Sequence, residues 1–404
     1  MRAETLRKIL MVAAGVGLVA AAAGQDFAPP RPTGLTAPPV DRTEAPVKRV
    51  STKKREMPDM PRDLLKYMDE SLQVVADERD EPAVKRAFRD AFTDILEASR
   101  RCQNHPRATD GEKAEAIQYE VSAHYQWARM EPSTNHAAAL ATRADELYKA
   151  DPKADTSALA AFLAIKAKYE TDLGIEPAAL PQIKNYLKNF PRDEAAIELM
   201  VDVAMTAETA GDQGRAKEAL SLVKTTFPKH EMSERAPAIL RRLDLIGNPL
   251  PITGRSTDAR PISTIELKNK IVIIDVWATW CQPCVADMDR LKELWDKYHD
   301  QGVEIIGVPL DEDMPKLRKF LADKKLPWLN LDLPANEKER GWEHPFAKEY
   351  GIGAMPMKII IDKSGKVVAT NVRGSMLEQK IADLLGKPLE GGKITSKPTF
   401  ELFK

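Results

Sequence analysis

A run of seven residues with one polar member, Ile271-Val-Ile-Ile-Asp-Val-Trp277, stops just short of Cys281-Gln-Pro-Cys284. β-Branched residues dominate the run, and an unalternating apolar stretch of that length marks a strand buried on both faces. A helical pattern starts directly after the second cysteine, through Met288, Leu291, Leu294, Trp295 and Tyr298. A buried strand that delivers a cysteine pair to the start of a helix commits this part of the chain to an α/β fold. The chain has only three cysteines among 404 residues. A disulfide-stapled scaffold is therefore excluded, because the length supports real cores and the sulfur is too scarce.

The same period continues downstream. A second buried strand is expected over 303–310, a helix through Leu317, Phe320 and Leu321, and strands over 357–361 and 366–371 about the turn Asp362-Lys-Ser-Gly365. A last helix runs to about Gly386, and Met355-Pro356 stands immediately before the third strand. The Trp277-Ala-Thr-Trp-Cys-Gln-Pro-Cys284 motif and this order of elements resemble the thioredoxin superfamily, and within it the exported TlpA/ResA-like thiol–disulfide oxidoreductases. The resemblance covers about residues 255–386, roughly a third of the chain. It implies a mixed sheet flanked by helices, a cis peptide before Pro356 as the substrate-groove proline, and no cofactor. Met355 departs from the Thr or Ala commonest before that proline. The role implied is reduction or reshuffling of disulfides in envelope proteins, with a membrane thiol relay as electron donor.

The residues themselves suit such chemistry. A thiolate attacks a disulfide, and Cys281 stands where unpaired N–H groups and the positive end of a helix stabilise an anion. Cys284, about one turn on, is placed to resolve a mixed disulfide. Pro283 lacks an N–H and fits a first helical turn, and the Gln282-Pro283 pair tunes the potential. Asp275 is costly to bury unless neutral or partnered; burial raises its pKa and makes it a general base for Cys284. Its place six residues before Cys281 matches the buried acid of thioredoxins. The alternative is a partly exposed strand with Asp275 in water. Asp287 stands where TlpA/ResA-like proteins usually carry Glu; it either tunes the thiols or simply favours the helix N-terminus. Trp280 is expected at the rim of the sulfurs and Trp277 in the core.

Upstream of residue 249 the chain has another character. Residues 1–24 combine Arg2, Arg7 and Lys8 with an uncharged run over 9–24 that ends in small residues, the pattern of a cleaved secretory signal peptide. An uncleaved anchor is the alternative, although sixteen residues fall short of the roughly 20 that span a bilayer. Export to the periplasm or cell envelope is expected. Residues 25–61 hold eight prolines and read as a disordered tether. Residues 62–248 read as helix throughout, with Pro followed by Arg or Lys at 106, 152, 191 and 228. The last three prolines are 39 and 37 residues apart, each followed by a glycine (Gly174, Gly211, Gly247) expected to end a helix. That period with two helices per unit is similar to tetratricopeptide-like solenoids, which commonly bind proteins.

The expected architecture is multidomain: an all-α, tetratricopeptide-like helical-repeat domain (62–248), then an α/β thioredoxin-fold domain (249–388) and a tail (389–404). Other functions fit less well. Lys+Arg number 60 against 61 Asp+Glu, so no cationic excess favours nucleic acid. One C-x-x-C pair without a second falls short of a zinc site, and His299 and His344 stand at no ligand spacing. A thiol peroxidase would need Pro and Thr where Ile274 and Ala278 stand. A scaffold or adaptor that uses the helical repeats remains the alternative from another class. Cys102 is expected to be a lone buried thiol rather than a redox partner, and Glu120, Asp145 and Glu198 solvated helix faces.

Overall fold

The structure, a computed structural model, describes residues 56–71, 81–171 and 174–387. The expected signal peptide, nearly all of the tether and the tail lie outside the described residues. No described helix is long and apolar enough to cross a membrane. The chain forms two compact units that divide between Lys168 and Tyr169, inside the long helical stretch.

The first unit is helical: α1 (Pro61–Ser71), α2 (Glu81–Asn104), α3 (Asp110–Met130), α4 (His136–Ala150) and α5 (Asp155–Tyr169, which ends at the division). Apolar residues three and four apart give each helix one face to bury. Leu64 and Met68 of α1 meet Phe92, Ile95 and Ala98 of α2 and Ala116 and Tyr119 of α3 in one core. Thr109 starts α3 with a capping box, its hydroxyl accepting from Glu112 N while the Glu112 carboxylate takes the Thr109 N–H. Cys102 is fully buried in the same core and unbonded to another cysteine, and burial pushes its thiol pKa up. Glu120 is not the solvated residue expected: it accepts from Gln103 Nε2 at 2.8 Å and pairs with Arg143 Nε at 3.1 Å. Sequence spacing hides that pairing because Arg143 arrives from the next helix.

The second unit opens with a short antiparallel pair, β1 (Glu170–Thr171) and β2 (Gly174–Ile175). Gly174 therefore does not end a helix. Its φ of 119° serves β2, where a Cβ would stand 2.8 Å from Thr206 Oγ1. Four helices follow: α6 (Leu180–Asn189), α7 (Ala195–Thr209), α8 (Gln213–Thr226) and α9 (Glu231–Leu243). Consecutive members pack on one another. Pro191 and Pro228 fall in the turns after α6 and α8, and Gly211 and Gly247, both with positive φ, follow α7 and α9.

The sheet belongs to the same unit as these four helices. A small pair, β3 (Thr253–Arg255) with β4 (Pro261–Ser263), precedes it. Its five strands lie in the order β7 (Leu329–Asn330), β6 (Val303–Pro309), β5 (Ile271–Trp277), β8 (Met357–Ile361), β9 (Val367–Thr370). β5 is central, parallel to β6 and antiparallel to β8, and all seven of its residues are buried. Burying each Ile or Val stabilises by about 1.5–3 kcal/mol, which is why the strand carries so little polarity. One face joins Val272, Ile274 and Val276 to a core that includes the two cysteines. The other joins Ile271 and Ile273 to Leu291 and Leu294 of α10 (Gln282–Tyr298) and to Leu377 and Ile381 of α13 (Ser375–Leu384). α11 (Met314–Lys324) and the short α12 (Pro345–Glu349) complete the domain. Leaving α9, the chain pairs with the sheet edge, Gly247 N donating to Val367 O at 2.8 Å and Val367 N to Asn248 O at 2.9 Å. An edge strand that would otherwise present open N–H and C=O groups is covered.

Candidate active site

β5 ends at Trp277, and the next four residues turn into α10, whose N-cap is Cys281. Trp277 is fully buried and donates its indole N–H to Asn330 Oδ1 at 3.0 Å, locking the strand end to β7. The turn is held from beside β6: Asp311 accepts the Thr279 N–H at 3.1 Å and also the Thr279 hydroxyl. Burial raises the Asp311 pKa, and these Thr279 hydrogen bonds pull against the rise. The motif is thus clamped on both sides of Ala278, a preorganised arrangement rather than a loose loop.

Cys281 and Cys284 are joined by a disulfide, and both are almost fully buried. Cys281 Sγ accepts the Cys284 N–H at 3.2 Å. That contact places the sulfur of Cys281 at the N-terminus of a seventeen-residue helix, where free N–H groups and the helix dipole favour negative charge. Pro283 occupies the first turn at no hydrogen-bond cost, and Gln282 beside it is exposed.

Asp275 is buried, against the alternative of an exposed strand. Opposite it in the antiparallel register is Lys358 of β8, itself buried, with Nζ 3.3 Å from Asp275 Oδ1 and 2.6 Å from Asp287 Oδ2. Asp287 sits one helical turn after Cys284 on α10. One ammonium thus lies between two carboxylates, one from β5 and one from the helix that starts at the cysteines. Burial raises the Asp275 pKa, with Lys358 opposing and Asp287 adding to the rise. Lys358 is also raised, because its two carboxylates outweigh the burial that acts against its charge. With all three groups ionised the pair of carboxylates would outnumber the one cation, which favours the neutral form of the fully buried Asp275.

The Met355–Pro356 peptide is cis, as the resemblance implied. Met355 is buried in the same apolar cluster as Cys281 and Cys284, and Pro356 is half-buried. Trp280 is 48% exposed and meets Trp342 edge-on at 5.9 Å between centroids. Two large aromatic surfaces therefore stand open to solvent next to the motif, beside the nearly closed sulfurs.

Sequence reasoning placed Asp275, Trp280, the motif residues and Met355-Pro356 in this region, and missed Lys358, Asp311 and Trp342. A signal for Lys358 existed: a lone lysine inside the apolar run Met357–Ile361 must find a partner when the strand is buried.

Similarity to known proteins covers this same part of the chain. A family model described as thioredoxin-like matches residues 269–367. The chain is 32% identical to the thiol-disulfide oxidoreductase ResA of Bacillus thuringiensis subsp. konkukian over 130 residues, 32% of this chain and 70% of that protein. ResA of Bacillus anthracis is 33% identical over 134 residues, 33% of this chain and 68% of that one. Among solved structures, the thioredoxin domain of a thiol-disulfide oxidoreductase from Bacteroides vulgatus is 25% identical with a TM-score of 0.31, covering 34% of this chain and 94% of that chain. On its identity to ResA and the share of ResA it covers, this protein belongs, through its C-terminal domain, to the thioredoxin-like thiol–disulfide oxidoreductases.

Proposed function

We propose that the protein is exported by residues 1–24, held on the tether 25–61, and reduces or reshuffles disulfides in envelope proteins. In the dithiol state the Cys281 thiolate attacks a substrate disulfide, forming a mixed disulfide and releasing one substrate sulfur as a thiolate that takes up a proton. Cys284 then gives its proton to Asp275 and attacks the Cys281 sulfur. The second substrate sulfur leaves as a thiolate that takes up the proton held by Asp275, Cys281 and Cys284 become the disulfide, and two electrons have passed to the substrate. A membrane thiol donor restores the dithiol by the same steps reversed. Pro356 and Met355 form the substrate groove with Trp280, and Gln282, Pro283 and Asp287 tune the exchange. The helical repeats, similar to tetratricopeptide units, are assigned to holding a protein partner.

The observation that carries this reading is Cys281 as the N-cap of α10, its sulfur facing Cys284 N–H at 3.2 Å. Reduction of insulin disulfides by dithiothreitol tests it. The wild-type protein accelerates the reaction and Cys281→Ser returns it to the uncatalysed rate; an undiminished rate in that variant overturns the assignment.

A further inference from the structure

Arg242, in the last turn of α9, is buried and spends its guanidinium in two directions. Nε and Nη2 donate to the two carboxylate oxygens of Glu208 on α7, both at 2.8 Å. Nη1 donates to the carbonyls of Tyr350 and Gly351, also at 2.8 Å. Glu208 in turn accepts the Thr370 hydroxyl of β9 at 2.7 Å. A planar fork that binds a carboxylate with one edge and two backbone carbonyls with another fixes orientation as well as distance. The neighbouring Arg241 adds an exposed clasp, its Nε lying 3.2 Å from Glu349 O and 3.1 Å from Glu349 Oε1.

The segment seized in this way leads directly to Met355 and cis-Pro356. Its approach to α9 is close: Gly351 has φ 57°, and a Cβ there would stand 2.6 Å from Ile239 N and 2.9 Å from Ala238 C. Backbone meets backbone, so neither partner can yield. Three residues separate Gly351 from Met355, which lies in the same apolar cluster as both cysteines.

We propose that the Glu208–Arg242 bridge of the helical segment is a positioning device for the Met355–Pro356 wall of the redox site, making α7 and α9 part of substrate binding rather than a spacer. The inference rests on the reading of Cys281 and Pro356 given above. On that reading the wall binds the substrate and the sulfurs do the exchange, so loss of the fork should weaken binding at the groove, raising KM without changing kcat. Protein substrates, which need the groove, should feel it. A small disulfide such as glutathione disulfide, which reaches the sulfur without lying along the wall, should not.

The full chain carrying Arg242→Met, Glu208→Leu/Arg242→Met or Arg241→Ala tests this. Arg242→Met takes from buried Glu208 its bidentate partner and lowers the unfolding midpoint; removing both members relieves that carboxylate and restores part of the stability, the rest being lost because buried Arg373 also interacts with Glu208. The expected result is that KM for a protein disulfide rises about tenfold in both Arg242 variants, whereas kcat and the glutathione disulfide rate stay at wild type. Arg241→Ala, changed only at the surface, gives a smaller rise. Should Arg242→Met fail to fold, the double variant and Arg241→Ala still decide. A KM that returns to wild type together with stability in the double variant, or that never rises, overturns the proposal. Failure of the underlying reading looks different, since Cys281→Ser would then keep activity on both substrates.

Discussion

Replacing Lys358 with Met keeps an apolar stem of similar length in β8 and removes the ammonium that lies 3.3 Å from Asp275 and 2.6 Å from Asp287. Breaking a buried ion pair by deleting one partner costs about 3–5 kcal/mol, because the remaining charge is left in the interior. The penalty must depend on pH. Asp275 has a folded pKa above its unfolded value, so the folded state holds its proton more tightly and stability falls as pH rises through that interval. Lys358 opposes this rise, and without it the interval widens at about 1.36 kcal/mol per pKa unit. Lys358 itself has a raised folded pKa, so its contribution is fully present below the unfolded lysine value and is lost only as pH climbs through the folded one. At about pH 8 the variant should therefore be less stable than wild type by about 3–5 kcal/mol. Toward about pH 4 the deficit should shrink, because Asp275, whose folded pKa is raised, takes up a proton and then needs no cation. Urea unfolding of the oxidised proteins, followed by tryptophan fluorescence at both pH values, measures the difference. A deficit that is equal at the two pH values, or below about 1 kcal/mol at the higher, refutes the reasoning.

The rim and the proton acceptor give further outcomes. Trp342→Ala removes one half of the exposed aromatic pair, worth about 0.5–1.5 kcal/mol, and should raise KM for insulin up to about tenfold with kcat unchanged. An unaltered KM would show that substrate does not use this surface. Asp275→Asn cannot take the Cys284 proton and should lower kcat at neutral pH by about 10²-fold, read from single-turnover release of the mixed disulfide. An unchanged release rate removes Asp275 from the mechanism. For direction, a Cys281–Cys284 potential near about −270 mV in glutathione equilibration fits a reductant, whereas about −120 mV would mark a strong oxidant.

The parts legible in the sequence were those whose signal is local. β5 announces itself as seven buried residues in a row, and the C-x-x-C pair lies within one helical turn of itself. Asp275 stood out because a carboxylate in that run has to be accounted for. Lys358 is as conspicuous in its own run, but its partners are not, because they come from a β5–β8 register and from Asp287, 71 residues away. Trp342 meets Trp280 from 62 residues away in the chain, for the same reason. The helical stretch was readable as helices and turns, yet its division at Lys168 was not. That α6–α9 share a unit with the sheet rests on contacts such as Glu208 to Thr370, 162 residues apart, which no periodicity encodes. Gly174 misled because a positive φ serves a strand pair as well as a helix end.

The central claim is that Cys281 attacks and Cys284 resolves, and covalent trapping tests it most directly. Reduced Cys284→Ala protein mixed with a disulfide-containing substrate should accumulate a mixed disulfide, visible by mass spectrometry under non-reducing conditions and linked through Cys281. Cys281→Ala should give none. Equal adducts in the two variants, or an adduct linked through Cys284 alone, would contradict the account.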